Sequence, residues 1–185
     1  IVLRVRLRIF VLGIVGRIGR AVLVGRYRRE RALCGHDRAG LQVEAGARVK
    51  MISDGDVAGG IMPAWPDTGG DMLLGVGGSP EAVITAAALK CLGGDIQCRL
   101  WPRNEAERAA AEKLGLPLNK VLTIDDLVRG DDVFFSLTGV TDGELVRGVR
   151  YFAHGARTET LAMRSRSGTI RRIHSTTNPA STGLP

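Results

Sequence analysis

The pattern of apolar and polar residues becomes regular only after about residue 45. Short apolar, β-leaning runs then alternate with alanine-rich segments, which predicts strands alternating with helices. The clearest helix covers residues 80–92: Ser79 is expected to cap it, Glu81 suits its first turn, and Gly93 ends it. Predicted strands cover residues 47–53, 72–76, 95–100, 121–123, 132–137, 148–152, 158–164 and 167–175, and other helical segments begin near 57 and cover 104–114 and 123–130.

The order of these elements indicates the fold class. Strand, helix, strand, helix, strand is the pattern of βαβ units in a largely parallel sheet flanked by helices, so the fold is predicted to be α/β. The last strands are joined by glycine-containing turns and should add an antiparallel portion. Residues 77–80 are predicted to form a turn, and residues 176–185 a polar tail.

Residues 1–44 do not share this pattern and are treated as an atypical basic segment, separate from an α/β domain of residues 45–175. The segment is apolar but interrupted by arginines, and its longest charge-free run, residues 9–16, is far shorter than the about 20 residues of a membrane span. Three interpretations remain open. The alternation at residues 2–8 favours a strand with one polar face, the basic apolar composition suits a membrane surface, and the contrast in composition suits non-native sequence from a shifted reading frame.

Charge is distributed unevenly along the chain. Residues 1–50 carry a net charge of +9, whereas the remaining residues carry −2. The main domain therefore gives no electrostatic reason to expect nucleic acid as a partner, and no membrane partner is predicted either. The three cysteines, Cys34, Cys91 and Cys98, lack metal-type spacing and predict reduced thiols in a cytoplasmic protein.

Two segments at predicted strand ends carry candidate ligands, because open α/β sheets bind ligands at the carboxyl ends of their strands. In the first, Asp54, Gly55 and Asp56 place two carboxylates on either side of one glycine. Such a pair can accept hydrogen bonds from sugar hydroxyls or help to hold a divalent cation. The alternative is a turn in which one aspartate caps the next helix.

The second segment, residues 75–81, has the sequence GVGGSPE. Glycines between a strand and a helix start suit an anionic phosphate, and Glu81 at the rim suits a metal ion that also touches the phosphate. The alternative is a tight turn in which Glu81 complements the helix dipole. The segment is neither a Walker loop nor a dinucleotide fingerprint, and no catalytic nucleophile–base pair is predicted anywhere in the chain.

Seven motifs together resemble the class II fructose bisphosphatases, some of which also act on sedoheptulose bisphosphate. They occur in that family's order and at its approximate spacing over residues 45–175. The motifs are SDGDV (53–57), GVGGSPEAV (75–83), AALKCLGG (87–94), DDLVRGD (125–131), TGVTDGEL (138–145), TETL (158–161) and SGTIRRIHS (167–175).

The resemblance implies the layered fold of the lithium-sensitive, metal-dependent sugar phosphatases, of which this chain would be the C-terminal α/β portion. It implies hydrolysis of fructose 1,6-bisphosphate to fructose 6-phosphate and phosphate with Mn²⁺ or Mg²⁺, in gluconeogenesis, glycerol metabolism or the Calvin cycle. By matched positions, Asp54, Gly55, Asp56 and Gly78 would bind substrate, and Glu81 would ligate the metal. The full-length protein is expected to be a cytoplasmic homo-oligomer.

The chain also departs from that family. The family carries most of its metal ligands in an acidic N-terminal half, which residues 1–44 do not resemble. One acidic ligand cannot hold a catalytic metal pair, so this chain alone is predicted to be inactive. Two alternatives follow: a non-catalytic module that binds sugar phosphates, and a basic protein that binds membranes or nucleic acid through residues 1–31.

Overall fold

The computed structural model describes residues 6–12, 22–26, 48–52, 56–66, 68, 72–102 and 104–178, which form a mixed α/β fold. The strands are β1 Arg6–Leu12, β2 Val22–Arg26, β3 Arg48–Ile52, β4 Met72–Gly78, β5 Asp95–Trp101, β6 Phe134–Thr138, β7 Arg150–Phe152, β8 Gly155–Arg164 and β9 Thr169–Thr177. The helices are α1 Asp56–Ile61, α2 Ser79–Leu92, α3 Glu105–Lys113 and α4 Ile124–Leu127, and a short 3-10 helix covers Met62–Ala64.

The first sheet has the strand order β3-β2-β4-β1-β5. Strand β2 is parallel to both β3 and β4, whereas β1 is antiparallel to both β4 and β5. The predicted parallel sheet is therefore interrupted by one antiparallel strand. This strand overlaps the alternating run at residues 2–8, but β2 was not predicted. Local alternation indicates a strand, whereas its neighbours are decided by contacts between distant parts of the chain.

The second sheet is antiparallel, as predicted for the last strands. Strands β6 and β7 pair with one edge of β8, and β9 pairs with the other edge. The strand predicted at residues 121–123 is reduced to one bridge. There Leu122 and Cys98 exchange backbone hydrogen bonds of 2.7 and 2.9 Å.

Helix α2 lies between the two sheets and is buried on two sides. One side packs into a core of Ala64, Leu73, Ala82, Ala86, Leu89, Ile96, Cys98 and Leu100. The other side packs into a core of Ile61, Met62, Ala88, Cys91, Phe135, Leu145, Val146, Leu161 and Met163. The small alanine side chains let the helix approach both layers, which explains why its sequence is apolar almost all round.

The start of α2 differs in detail from the prediction. Strand β4 continues to Gly78 and leads directly into the helix, so the turn predicted at residues 77–80 is absent. Gly78, not Ser79, is the N-cap residue, and Ser79 is the first helical residue. The predicted end is confirmed: Gly93 adopts a left-handed φ of 73°, which glycine accommodates without strain. None of the described helices is long and apolar enough to cross a membrane.

Candidate functional site

The helices that begin at Asp56 and Ser79 start at the same edge of the first sheet. Helix α1 begins at Asp56, soon after β3, and α2 begins at Ser79, directly after β4. Both strands run parallel to β2, so their carboxyl ends point to one edge. This is the edge at which open α/β sheets bind their ligands.

The strand register shows how far β3 and β4 each extend along the strand direction. Ile52 pairs with Arg26 of β2, and Leu74 pairs with the preceding residue of that strand, Gly25. Ile52 is therefore level with Gly75, and Gly78 lies about 10 Å further along the strand direction. Strand β3 thus ends level with the middle of β4, on the other side of β2.

Helices α1 and α2 are in direct contact close to their starts. A β-carbon added at Gly60 of α1 would overlap the side chain of Thr85 in α2. Gly60 follows Asp56 by four residues and Thr85 follows Glu81 by four residues, which is about one helical turn in each case. Helices α1 and α2 therefore start at one edge of the sheet and are in contact within the second turn of each.

The aspartate pair itself is only partly within the described residues. Asp54 and Gly55 lie outside them. Asp56 is the first residue of α1, and its side chain is also outside the description. Their substrate-binding roles therefore stay predictions.

Glu81 and Gly78 are described and are in contact. Glu81 lies in the first turn of α2, and its Oε2 atom is buried without a hydrogen-bond partner among the described residues. A β-carbon at Gly78 would overlap that same oxygen, so the carboxylate lies directly over the glycine. A buried carboxylate oxygen is costly unless a donor or a cation satisfies it. The arrangement fits a metal ligand.

The described residues supply only this one fitting ligand. No group of three His, Cys, Asp or Glu side chains in the described part of the chain is close enough together to hold a metal ion. Buried Cys91 and Cys98 are free thiols, and burial raises the pKa of both, that of Cys98 to about 11 with a further contribution from the charge of Asp126. Both are protonated at neutral pH and so are poor nucleophiles and metal ligands.

A second polar cluster, which the sequence did not reveal as a site, surrounds Glu159 on β8. Its side chain is only 5% exposed and accepts a hydrogen bond of 2.9 Å from the backbone N–H of Arg147, and it also pairs with Arg172. These partners, the Arg147 N–H first, lower the pKa of Glu159. The available signal was a charged residue two positions before Leu161 and four before Met163, on the face of the strand that these apolar residues share.

Comparisons with known proteins are consistent with this arrangement. A family model described as bacterial fructose-1,6-bisphosphatase, glpX-encoded, matches residues 39–177. A fructose-1,6-bisphosphatase class 2 from Haemophilus influenzae is 43% identical over 154 residues, which is 76% of this chain and 46% of that protein. A D-fructose 1,6-bisphosphatase class 2/sedoheptulose 1,7-bisphosphatase from a Synechococcus strain is 45% identical over 141 residues, which is 69% of this chain and 41% of that protein. The chain therefore spans less than half the length of these relatives.

Proposed function

Because the chain belongs to the bacterial glpX-encoded fructose-1,6-bisphosphatase family, we propose that it is part of a metal-dependent sugar bisphosphatase. The family match confirms the resemblance predicted from the seven motifs. The proposed reaction is hydrolysis of fructose 1,6-bisphosphate to fructose 6-phosphate and phosphate, carried out by the longer protein. The name of the Synechococcus relative extends the proposed substrates to sedoheptulose 1,7-bisphosphate.

Each predicted site residue has a proposed role. The carboxylates of Asp54 and Asp56 accept hydrogen bonds from sugar hydroxyls, and Gly55 lets the backbone bend between them. Gly78 contacts the substrate and leaves room for the Glu81 carboxylate, which occupies the space that a side chain would take. Glu81 ligates Mn²⁺ or Mg²⁺, which when bound supplies positive charge that polarises a phosphoryl oxygen.

The single observation that carries this proposal is the buried, unpaired Oε2 of Glu81 above Gly78. It supports the metal-ligand role without reference to any relative, because a bound cation would satisfy this oxygen. The N-terminus of α2 adds partial positive charge but is too weak to replace a divalent ion. In this proposal the carboxylates of the aspartate pair, Asp54 and Asp56, complete the site.

Several wider features belong to the same proposal. The packing of a helix between two sheets supports the layered architecture of the lithium-sensitive phosphatases. The family match at residues 39–177 supports a domain of about residues 45–175, which excludes most of the basic segment. The longer protein is proposed to be a cytoplasmic homo-oligomer of gluconeogenesis, glycerol metabolism or the Calvin cycle. Neither nucleic acid nor a membrane is proposed as a partner.

Binding of the product tests the site. Fructose 6-phosphate is titrated calorimetrically into the chain in the presence of Mn²⁺. Glu81→Gln should weaken binding about tenfold or more, the size expected when a charge-assisted contact is lost. Glu112→Gln, on the exposed face of α3, is the matched control and should bind as the original chain does. If the Glu81→Gln variant binds fructose 6-phosphate as tightly as the original chain does, Glu81 is not part of the site.

A second candidate function is a non-catalytic module that binds sugar phosphates. It is favoured by the absence of a three-residue metal cluster in the described ranges. Release of phosphate from fructose 1,6-bisphosphate with Mn²⁺ separates activity of this chain from binding alone. We expect product binding without turnover, and robust turnover would show that this chain completes the metal site.

A further inference from the structure

A cavity lined mainly by charged residues lies under the loop that joins β6 to β7, on the inner face of the second sheet. Its volume is about 650 Å³, within the range of small-molecule sites. Three of the sequence motifs, at residues 138–145, 158–161 and 167–175, contribute to its lining, although none of them received a role above. Among the described residues, the lining includes none of those at 75–81.

The sheet register explains why charged groups converge here. On β8, Arg157 and Glu159 are two residues apart and share one face, and on β9 the same holds for Arg172 and His174. Glu159 pairs directly with His174 across the two strands. All four residues line the cavity. Arg171, the neighbour of Arg172 on β9, points to the opposite face of the sheet.

Hydrogen bonds hold the loop over this face. The buried carboxylate of Glu159 accepts a hydrogen bond from the Arg147 N–H, and Asp142 accepts one of 2.9 Å from the Gly148 N–H. The Gly143 N–H also donates to the carbonyl of Val146 at 3.0 Å. The cavity is therefore built by the fold of the chain before any ligand arrives.

The lining carries more positive than negative charge. Arg172 is paired with Glu159, and Arg150 is paired with Asp142 at 2.8 Å. The guanidinium groups of Arg147 and Arg157 have neither an ion pair nor a hydrogen bond to any described residue. With Asp142, the partner of Arg150, included, four arginines face the three carboxylates of Asp142, Glu144 and Glu159, so the cavity carries a surplus of one positive charge.

We propose that this cavity binds the phosphate group of a small phosphorylated metabolite through Arg147 and Arg157. A phosphate monoester is anionic at neutral pH, so its charge is opposite in sign to the surplus on the lining. Planar guanidinium groups form paired hydrogen bonds with phosphate oxygens. His174 adds a further donor on the same face.

Inorganic phosphate is the probe. It is titrated calorimetrically into the full chain at about pH 8, where phosphate is mostly dianionic, with the ionic strength held constant by chloride. Arg147→Ala/Arg157→Ala should weaken binding about tenfold or more. Arg166→Ala/Arg171→Ala removes the same charge from exposed positions outside the cavity and should leave the affinity unchanged.

A further variant separates this site from the one at Glu81. Phosphate binding should persist in Glu81→Gln, because Glu81 does not line the cavity. The milder Arg157→Gln tests the proposal if the double variant does not fold. If both double variants weaken phosphate binding equally, the effect comes from net charge alone and the proposal is wrong. Unchanged affinity of Arg147→Ala/Arg157→Ala would also overturn the proposal, as would phosphate binding that does not saturate.

Discussion

Gly78 and Glu81 are complementary: the carboxylate of Glu81 occupies the space that a side chain at residue 78 would need. The glycine is not required by its backbone, which has an ordinary extended φ of −80°. It is required by the close approach of the carboxylate. One residue thus makes room for the oxygen that the proposed metal would satisfy.

Gly78→Ala should therefore displace the Glu81 side chain and weaken Mn²⁺-dependent binding of fructose 6-phosphate. A clash of this kind in a packed site costs about 1–3 kcal/mol, part of which is recovered because the carboxylate is the end of a flexible side chain. Calorimetry and urea unfolding measure the two effects. Ser167→Ala, at an exposed position that lines neither site, is the control. Unchanged metal-dependent binding in Gly78→Ala would argue against the contact.

Glu159→Ala should destabilise the second sheet and its loop. The substitution leaves the N–H of Arg147 without its acceptor and Arg172 without its carboxylate. Losing a buried hydrogen-bond acceptor of this kind costs about 1–3 kcal/mol. Urea unfolding of the variant, compared with the exposed Glu112→Ala, gives the difference in the free energy of unfolding. A loss no greater than that of the control would contradict the anchoring role.

Stability should fall on acidification because several carboxyl groups are more acidic in the folded chain than in the unfolded chain. Hydrogen bonds from Lys120 and Thr123 lower the pKa of Asp126 to about 2, and a hydrogen bond from Arg164 lowers that of Asp132. A carboxyl group whose pKa is lower in the folded state than in the unfolded state stabilises the fold fully at pH values above its unfolded pKa. This stabilisation is lost as the pH falls toward the folded pKa. For Asp126 this range lies between about pH 4 and pH 2.

Unfolding midpoints measured across that range provide the check. Asp126→Asn should be less stable than the original chain at neutral pH and should lose less stability on acidification. Asp131→Asn, at an exposed position, removes the same charge and is the matched control. Parallel profiles for Asp126→Asn and the original chain would mean that this carboxyl does not contribute.

The buried thiols should resist modification in the folded chain. Burial raises the pKa of Cys98 to about 11, so the thiolate is scarce at about pH 8. In a Cys34→Ser background, a thiol reagent should react with neither remaining cysteine until urea unfolds the chain. Rapid reaction of Cys98 under native conditions would contradict its burial. Above about pH 9 the thiol of Cys98 ionises in the unfolded chain but stays protonated in the folded chain. Ionisation then favours the unfolded chain, so the free energy of unfolding should decline above this pH.

The sequence by itself determined the elements whose causes are local. The helix at Ser79–Leu92 follows from its helix-forming residues and terminal glycine, and the antiparallel strands near the end follow from alternation and glycine turns. The same local patterns indicated Asp54, Asp56 and Glu81 as candidate ligands, because each follows a strand end. The family followed from motifs that are specific in combination.

Only the tertiary structure decided what depends on distant contacts. It inserted β1 between β4 and β5, placed the starts of α1 and α2 at one edge, and left Oε2 of Glu81 buried without a partner. It also brought Arg147 and Arg157 together from a loop and a strand. Local propensity specifies the conformation of a segment, whereas pairing, burial and charge balance depend on residues far away in the sequence that approach only when the chain folds.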